Sequence, residues 1–384
     1  MPPTWDELRD QFPVLERWTY LNTATFGPLP RCAVEAVARH FEARNETAST
    51  DFLDWYTRLD GVRAKAAAFL GAEQPDDIAF APSAGTALSW VLRGLDWRAG
   101  DELLSLEDEF PNNIYAPEML GDSGVKSVRA PGGEDFTPEA LFDRISSRTR
   151  LILVSAVSYS TGLRPPLARI AEAARAVDAL FVVDGTQGVG AIDFDASAVG
   201  ADVVVVHGYK WMLSPPGAGF VCLRAQARER IRPSVLSWRS HRTWRDVDRL
   251  HHGAPELPEE AVRYEGGILN FSGLFAMEAV LDLIASIGKH RLFARTTEIA
   301  EATRRTLRDA GGRLAYDDSP WFDSPVVTAR FEGIDASELS AELKRRRVLT
   351  AARKGALRVS PHCFNNEEDL TVLKTALAEI GTSR

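Results

Sequence analysis

The sequence predicts an α/β fold: a mostly parallel sheet between layers of helices, followed by a smaller α+β unit in the C-terminal third. Three observations predict it. Short β-branched runs alternate with longer helical patterns, as parallel strands joined by crossover helices require. Several runs are apolar on both faces, as strands covered on both sides are. The alternation then breaks near residue 230. With 384 residues, 45% hydrophobic and 26% charged, the chain has enough apolar material for more than one core, which excludes disorder as its main state.

The strands are expected at 77–81, 102–106, 151–154, 180–183, 202–206 and 218–223. A helix is expected over 166–177, with proline in its first turn. Residues 231–265 are rich in Arg, Trp, His and Pro without periodicity and read as irregular structure, a length that usually carries function or meets a partner. Residues 271–287 space Leu274, Met277, Val280, Leu281 and Ile284 along one helix face, and the internal Glu278 and Asp282 exclude a membrane span. Strands at 325–331 and 357–360 complete the smaller unit.

Charge narrows the function. The chain has 45 Lys+Arg against 54 Asp+Glu, a net charge of −9, and no basic run, so nucleic acid and anionic membrane are poor partners. Cys32, Cys222 and Cys363 lack CxxC spacing, which argues against structural zinc or a disulfide framework. No clustered metal-ligand motif is present. The acidic start, MPPTWDELRD, is unlike a signal peptide, and a soluble, cytoplasmic protein is expected.

The most informative stretch runs from 180 to 220. One apolar strand ends in Asp184, with Gln187 three residues on; the next ends at His207, with Tyr209 and Lys210 beyond. Open α/β sheets bind ligands at strand ends, so Asp184 and Lys210 are expected to face one crevice. Lys210 admits two readings, a solvated loop lysine or a Schiff-base lysine made nucleophilic by desolvation and neighbouring charge. Asp184 favours the second, because a carboxylate there can keep a pyridine nitrogen protonated. Gly185, Gly188 and Gly190 run GxxGxG, not the GxGxxG of a dinucleotide loop. At 80–92 a strand leads through Ser83, Ala84, Gly85 and Thr86 into a helix, an arrangement suited to holding an anion on backbone N–H groups.

Asp184-Gly-Thr-Gln187 with Lys210 downstream resembles the cofactor signature of fold-type I pyridoxal phosphate enzymes. More narrowly, the chain resembles the class V aminotransferase family, which includes cysteine desulfurases, kynureninases and isopenicillin N epimerase-like proteins. YLNTATFGPLP at 20–30, YEGGILNFSGL at 264–274 and LRVSPHCFNNEEDL at 357–370 occur in the family's order. The resemblance implies the fold-type I PLP-dependent transferase fold, with a seven-stranded sheet. It implies an N-terminal arm at 1–14 packed on the small domain, a large cofactor domain at 15–260 and a small domain at 261–384. It also implies a homodimer with shared active sites.

It further implies roles. Lys210 would form the Schiff base and move the α-proton, Asp184 would pair with the pyridinium, and Gln187 would bond the ring hydroxyl oxygen. Ala84, Gly85 and Thr86 would hold the phosphate, joined by His207, Tyr209 and the N–H of Gly267. Phe110 stands where desulfurases carry a stacking histidine and can stack but move no proton. Tyr159 would lie near the ring hydroxyl. Arg358 would fork onto the substrate carboxylate, with Asn22, Ala24 and Thr25 on its other side. Arg239 and His241 could reach substrate or a neighbouring subunit. Residues 348–357, where desulfurases carry their persulfide cysteine, contain none, and Ile268 replaces a cross-dimer threonine. The reaction expected first is therefore β-elimination, a C–S lyase acting on an S-substituted cysteine. Transamination, epimerisation and a decarboxylating or oxidative variant are the alternatives, and a catalytically silent pyridoxal phosphate-binding protein is the non-enzyme reading.

Overall fold

The structure, a computed structural model, describes residues 2–250, 253–314 and 319–382. Seven strands form the central sheet: β1 Ile78–Ala81, β2 Glu102–Leu106, β3 Lys126–Ala130, β4 Thr149–Ser155, β5 Leu180–Asp184, β6 Val203–His207 and β7 Gly219–Leu223. Their order is β1-β7-β6-β5-β4-β2-β3. Only β7 runs against its neighbours, and every other pair is parallel. Each of the four residues Val203 to Val206 is buried, so β6 is sealed on both faces, as its apolar run predicts.

Two expectations at the sheet are corrected. Asp77 precedes β1 in a 3-10 turn and pairs with Arg228 at 2.5 Å. The strand β3, absent from the expected set, is the edge strand beside β2. Edge strands are half solvated, so Lys126 and Arg129 break the apolar pattern that marks its neighbours.

A second sheet follows, built from β8 Arg313–Leu314, β9 Val327–Arg330, β10 Ala351–Arg353 and β11 Ala356–Val359, antiparallel in the order β10-β11-β9-β8. Its core joins Leu357 and Val359 to Leu307, Leu339 and Leu373 from the surrounding helices. The chain returns early residues to this unit: Thr19–Tyr20 pairs with Val348–Leu349, and Asn22 bridges Ser360. The helix Phe271–Ile287 has the expected bounds and packs against the helices Arg31–Thr47 and Phe52–Leu70. Residues 231–265 hold only two short 3-10 turns, Val247–Arg249 and Ala261–Tyr264, with 251 and 252 outside the described residues. Among the described residues no single helix is long and apolar enough to cross a membrane.

Arg239 faces inward. It and Arg63 share the buried Glu265, at 3.0 and 2.8 Å, and Glu265 also accepts the N–H of Phe80 at 2.7 Å. Despite its burial, the two guanidiniums hold the Glu265 carboxyl below the usual range. A carboxylate taken out of water needs such partners. Arg239 thus ties the irregular segment to the sheet and does not extend toward a substrate.

Candidate active site

Three adjacent strands end in polar side chains: β4 in Ser155, β5 in Asp184 and β6 in His207. Ser155 and Asp184 are register partners. Their ends open onto a narrow cleft lined also by Ala84, Phe110, Tyr159, Gln187, Tyr209 and Lys210. The crevice predicted from Asp184 and Lys210 therefore exists.

Lys210 is 5% exposed. Burial pushes its amine down to about 8, aided by Arg358 and Arg353 and opposed by Asp184. Removing an ammonium from water disfavours its charge, which leaves a nucleophilic fraction near neutral pH. The Phe110 and Tyr209 rings lie 5.2 and 5.4 Å from Nζ. Phe110 meets Tyr159 edge-on at 5.1 Å, and Tyr209 meets His207 at 4.4 Å. Burial, with the Lys210 charge, pushes His207 down to about 4, so its imidazole is neutral at physiological pH.

The Lys210 segment is held by two close backbone approaches. A Cβ on Gly27 would lie 2.0 Å from the Lys210 carbonyl oxygen, and one on Gly190 (φ +91°) would lie 2.5 Å from that of Trp211. The Gly27 N–H also donates to the Tyr209 carbonyl at 2.9 Å. Gly27→Ala is expected to displace this loop and reduce turnover about 100-fold, the effect of roughly 1 Å at a reacting group. Unchanged turnover in a steady-state assay of the folded variant would contradict this packing.

Gln187 is fixed at both ends of its amide. Nε2 donates to the Ala24 carbonyl at 2.9 Å, and Oε1 accepts from Trp211 Nε1 at 2.6 Å. Trp211 sets the amide's orientation, so the second Nε2 hydrogen is the one left for the cleft. That contact spans 24 residues and has no signature in the sequence.

Arg358, on β11, is 1% exposed. Its Nη1 donates to the Tyr159 carbonyl and its Nη2 to Thr25 Oγ1, both at 2.5 Å, while Nη2 reaches Asn22 Oδ1 at 3.4 Å. Its buried Nε has no partner among the described residues. Burial and Arg353 lower it to about 9, so it stays cationic at neutral pH. The structure thus brings Asn22, Ala24, Thr25, Arg358 and Gln187 together.

The helix Ala84–Gly94 begins beside the cleft. Its N-cap Ser83 accepts from the Thr86 N–H at 3.1 Å. Ala84 faces the Lys210 cleft, whereas Thr86 lines a second, more apolar cleft with Gly217, Val235 and Gly267. The Gly267 N–H in that second cleft donates to Ser237 Oγ at 2.7 Å.

The residues that sequence reasoning missed sit behind Phe110. Glu109 is buried and accepts from Ser155 N at 2.7 Å, Ser155 Oγ at 2.5 Å and Asn113 Nδ2 at 2.8 Å. Burial raises its carboxyl to about 7, against those hydrogen bonds. Because folding raises this pKa, the unfolded chain binds fewer protons between about pH 4.5 and 7. The stability from protonated Glu109 is therefore full below 4.5 and is lost as pH rises through 7, by about 3 kcal/mol in all. Glu109→Gln cannot ionise, so relative to the parent it should gain about 3 kcal/mol between pH 4.5 and 8 in urea unfolding. A pH-independent difference would refute the assignment.

The set of groups suits pyridoxal phosphate. A depressed amine can take an aldehyde carbon, a buried carboxylate a pyridinium, an aromatic ring a ring face, and helix N-terminal amides a phosphate.

The family model for aminotransferase class-V matches residues 19–373. The chain is 30% identical to isopenicillin N epimerase of Streptomyces clavuligerus, over 97% of each chain. It is 25% identical to a probable cysteine desulfurase of Methanothermobacter thermautotrophicus, over 98% of each. In fold it is similar to the cystine C-S lyase C-DES in complex with its reaction product cysteine persulfide, with a TM-score of 0.88 and 23% identity over 96% of this chain and 99% of that one. The chain belongs to the aminotransferase class-V family, and it is a pyridoxal phosphate-dependent enzyme.

Proposed function

We propose that the enzyme breaks the Cβ–S bond of an S-substituted cysteine, giving a thiol, pyruvate and ammonia with uptake of one water. The observation that carries this reading is the pairing of a depressed Lys210 with the lack of any reactive cysteine. Cys222 and Cys363 are buried and pushed up to about 12, and burial also raises Cys32. Cys363 Sγ lies 3.0 Å from His362 Nδ1, inside the fold. A thiolate acceptor for persulfide is thus missing among the described residues, whereas a C–S lyase needs none.

When bound, pyridoxal phosphate supplies an electron sink for charge developing at the α-carbon. Ala84, Gly85 and Thr86, with His207 and Tyr209, would hold its phosphate, Asp184 its ring nitrogen, Gln187 and Tyr159 its ring oxygen, and Phe110 its ring face. Arg358 binds the substrate carboxylate, with Asn22, Ala24 and Thr25 beside it. Lys210 Nζ takes the α-proton, since Phe110 cannot. The Cβ–S bond then breaks with both electrons on sulfur, and a thiolate leaves without an acid.

Residues 15–260 form the cofactor unit in this reading, 261–384 present Arg358, and 1–14 dock on the latter, supported by the Arg9–Asp369 pair at 2.8 Å. A homodimer is proposed, supported by Ile268, 69% exposed on the second cleft, and Leu236, 57% exposed; the cytoplasm is proposed as its compartment.

Incubation with S-substituted cysteines tests the reaction: stoichiometric pyruvate and thiol are expected. A second reading, α-epimerisation, is favoured by the identity to isopenicillin N epimerase. Exchange of the α-proton with inversion and no pyruvate would replace the first reading with the second.

A further inference from the structure

A second arginine shares the face of the hairpin that carries Arg358. β10 and β11 pair with Ala351 opposite Arg358 and Arg353 opposite Ala356. Directly opposed residues project to the same side and residues two apart repeat that side. Ala351, Arg353, Ala356 and Arg358 therefore form one face, while Leu357 projects from the other into the core of the small sheet. On this face the two arginines are diagonal neighbours, about 7–8 Å apart at the backbone, and the alanines opposite them, Ala351 and Ala356, are buried.

The partners of the two differ. Arg358 donates to the Tyr159 carbonyl and to Thr25 Oγ1 and keeps its Nε without a partner among the described residues. Arg353 is partly buried, and its Nη1 donates at 2.7 Å to the carbonyl of Ala352, its own chain neighbour. Arg330, Arg345 and Arg346 of the same unit each pair with a glutamate; among the described residues Arg353 pairs with no carboxylate. Its charge is nonetheless felt at the cleft, where it lowers the proton affinity of both Lys210 and Arg358. A half-desolvated guanidinium with only a neighbouring carbonyl as acceptor is a ready partner for a carboxylate, which it can take through two parallel hydrogen bonds.

We propose that Arg353 selects substrates with a second carboxylate at the far end of the side chain, so that the preferred amino acid is a dicarboxylate, of the S-carboxyalkylcysteine type. The proposal rests on the reading of Arg358 as anchor of the α-carboxylate, and not on which bond is then broken. Arg358 fixes one end of the substrate, Lys210 addresses its α-carbon, and Arg353 meets the other end.

A matched pair of ligands tests this: S-carboxymethylcysteine and its amide, S-carbamoylmethylcysteine, which has nearly the same shape without the charge. Their dissociation constants are measured on the holoenzyme from the change in its visible spectrum. The acid should bind 10- to 100-fold tighter than the amide, the range expected for a charge-assisted hydrogen-bonded pair. In Arg353→Ala that ratio should fall to about one, and in Arg353→Lys to an intermediate value. In Arg358→Ala both ligands should weaken together and the ratio should persist. A parental ratio near one, or a ratio preserved in Arg353→Ala, overturns the proposal. Binding is read without turnover, so tight, charge-selective binding without pyruvate would count against the lyase reading while upholding Arg353.

Discussion

Lys210→Ala is expected to lower turnover by about 10⁴-fold or more, because one side chain supplies both the covalent attachment and the proton transfer. The loss should fall on kcat, since Arg358 and the helix Ala84–Gly94, the proposed carboxylate and phosphate contacts, are untouched. The apoprotein offers a second readout. Attachment of pyridoxal phosphate needs the neutral amine, whose pKa is about 8. The rate of attachment to the parent protein should therefore rise with pH up to about 8 and then level off. A rate still climbing steeply beyond pH 10 would place Lys210 in bulk solvent, which its burial forbids.

Arg358→Ala is expected to reduce kcat/KM for amino acids about 100-fold or more, mainly through KM, because the proposed charge-assisted pair with the substrate carboxylate would be lost from ground and transition states alike. Arg358→Lys should recover only part of this, since an ammonium restores the charge and not the fork. Arg358 also holds the Lys210 proton affinity down, so its removal should move the pH dependence of cofactor attachment upward. A purely structural arginine would leave that profile in place. These effects are measured by steady-state kinetics and by stopped-flow absorbance across pH.

The parts of the site legible in the sequence were those encoded by local pattern. Val203 to Val206 can only be a buried strand, and Asp184, His207 and Lys210 stand where such strands end, so the crevice followed from strand-end geometry. The small residues Ser83, Ala84, Gly85 and Thr86 marked the N-cap and first turn of the helix Ala84–Gly94 in the same way. What stayed hidden depends on contacts between distant segments. Trp211 orients Gln187 from 24 positions away. Glu109 looks like one more acid in an acidic loop until folding brings Ser155 and Asn113 to it. Arg239 reads as an outward-reaching charge, and only the buried Glu265 turns it inward. The edge strand β3 failed for the opposite reason, since solvent on one side erased its apolar pattern. Arg353 became informative only through the register that sets it on the face of Arg358.

Lys210 is the residue expected to take the cofactor. Protein loaded with pyridoxal phosphate, reduced with borohydride and mapped by peptide mass spectrometry, should carry the phosphopyridoxyl group on Lys210 in close to one copy per chain. The group on another lysine, or its absence from protein that is folded and saturated with cofactor, would contradict the account.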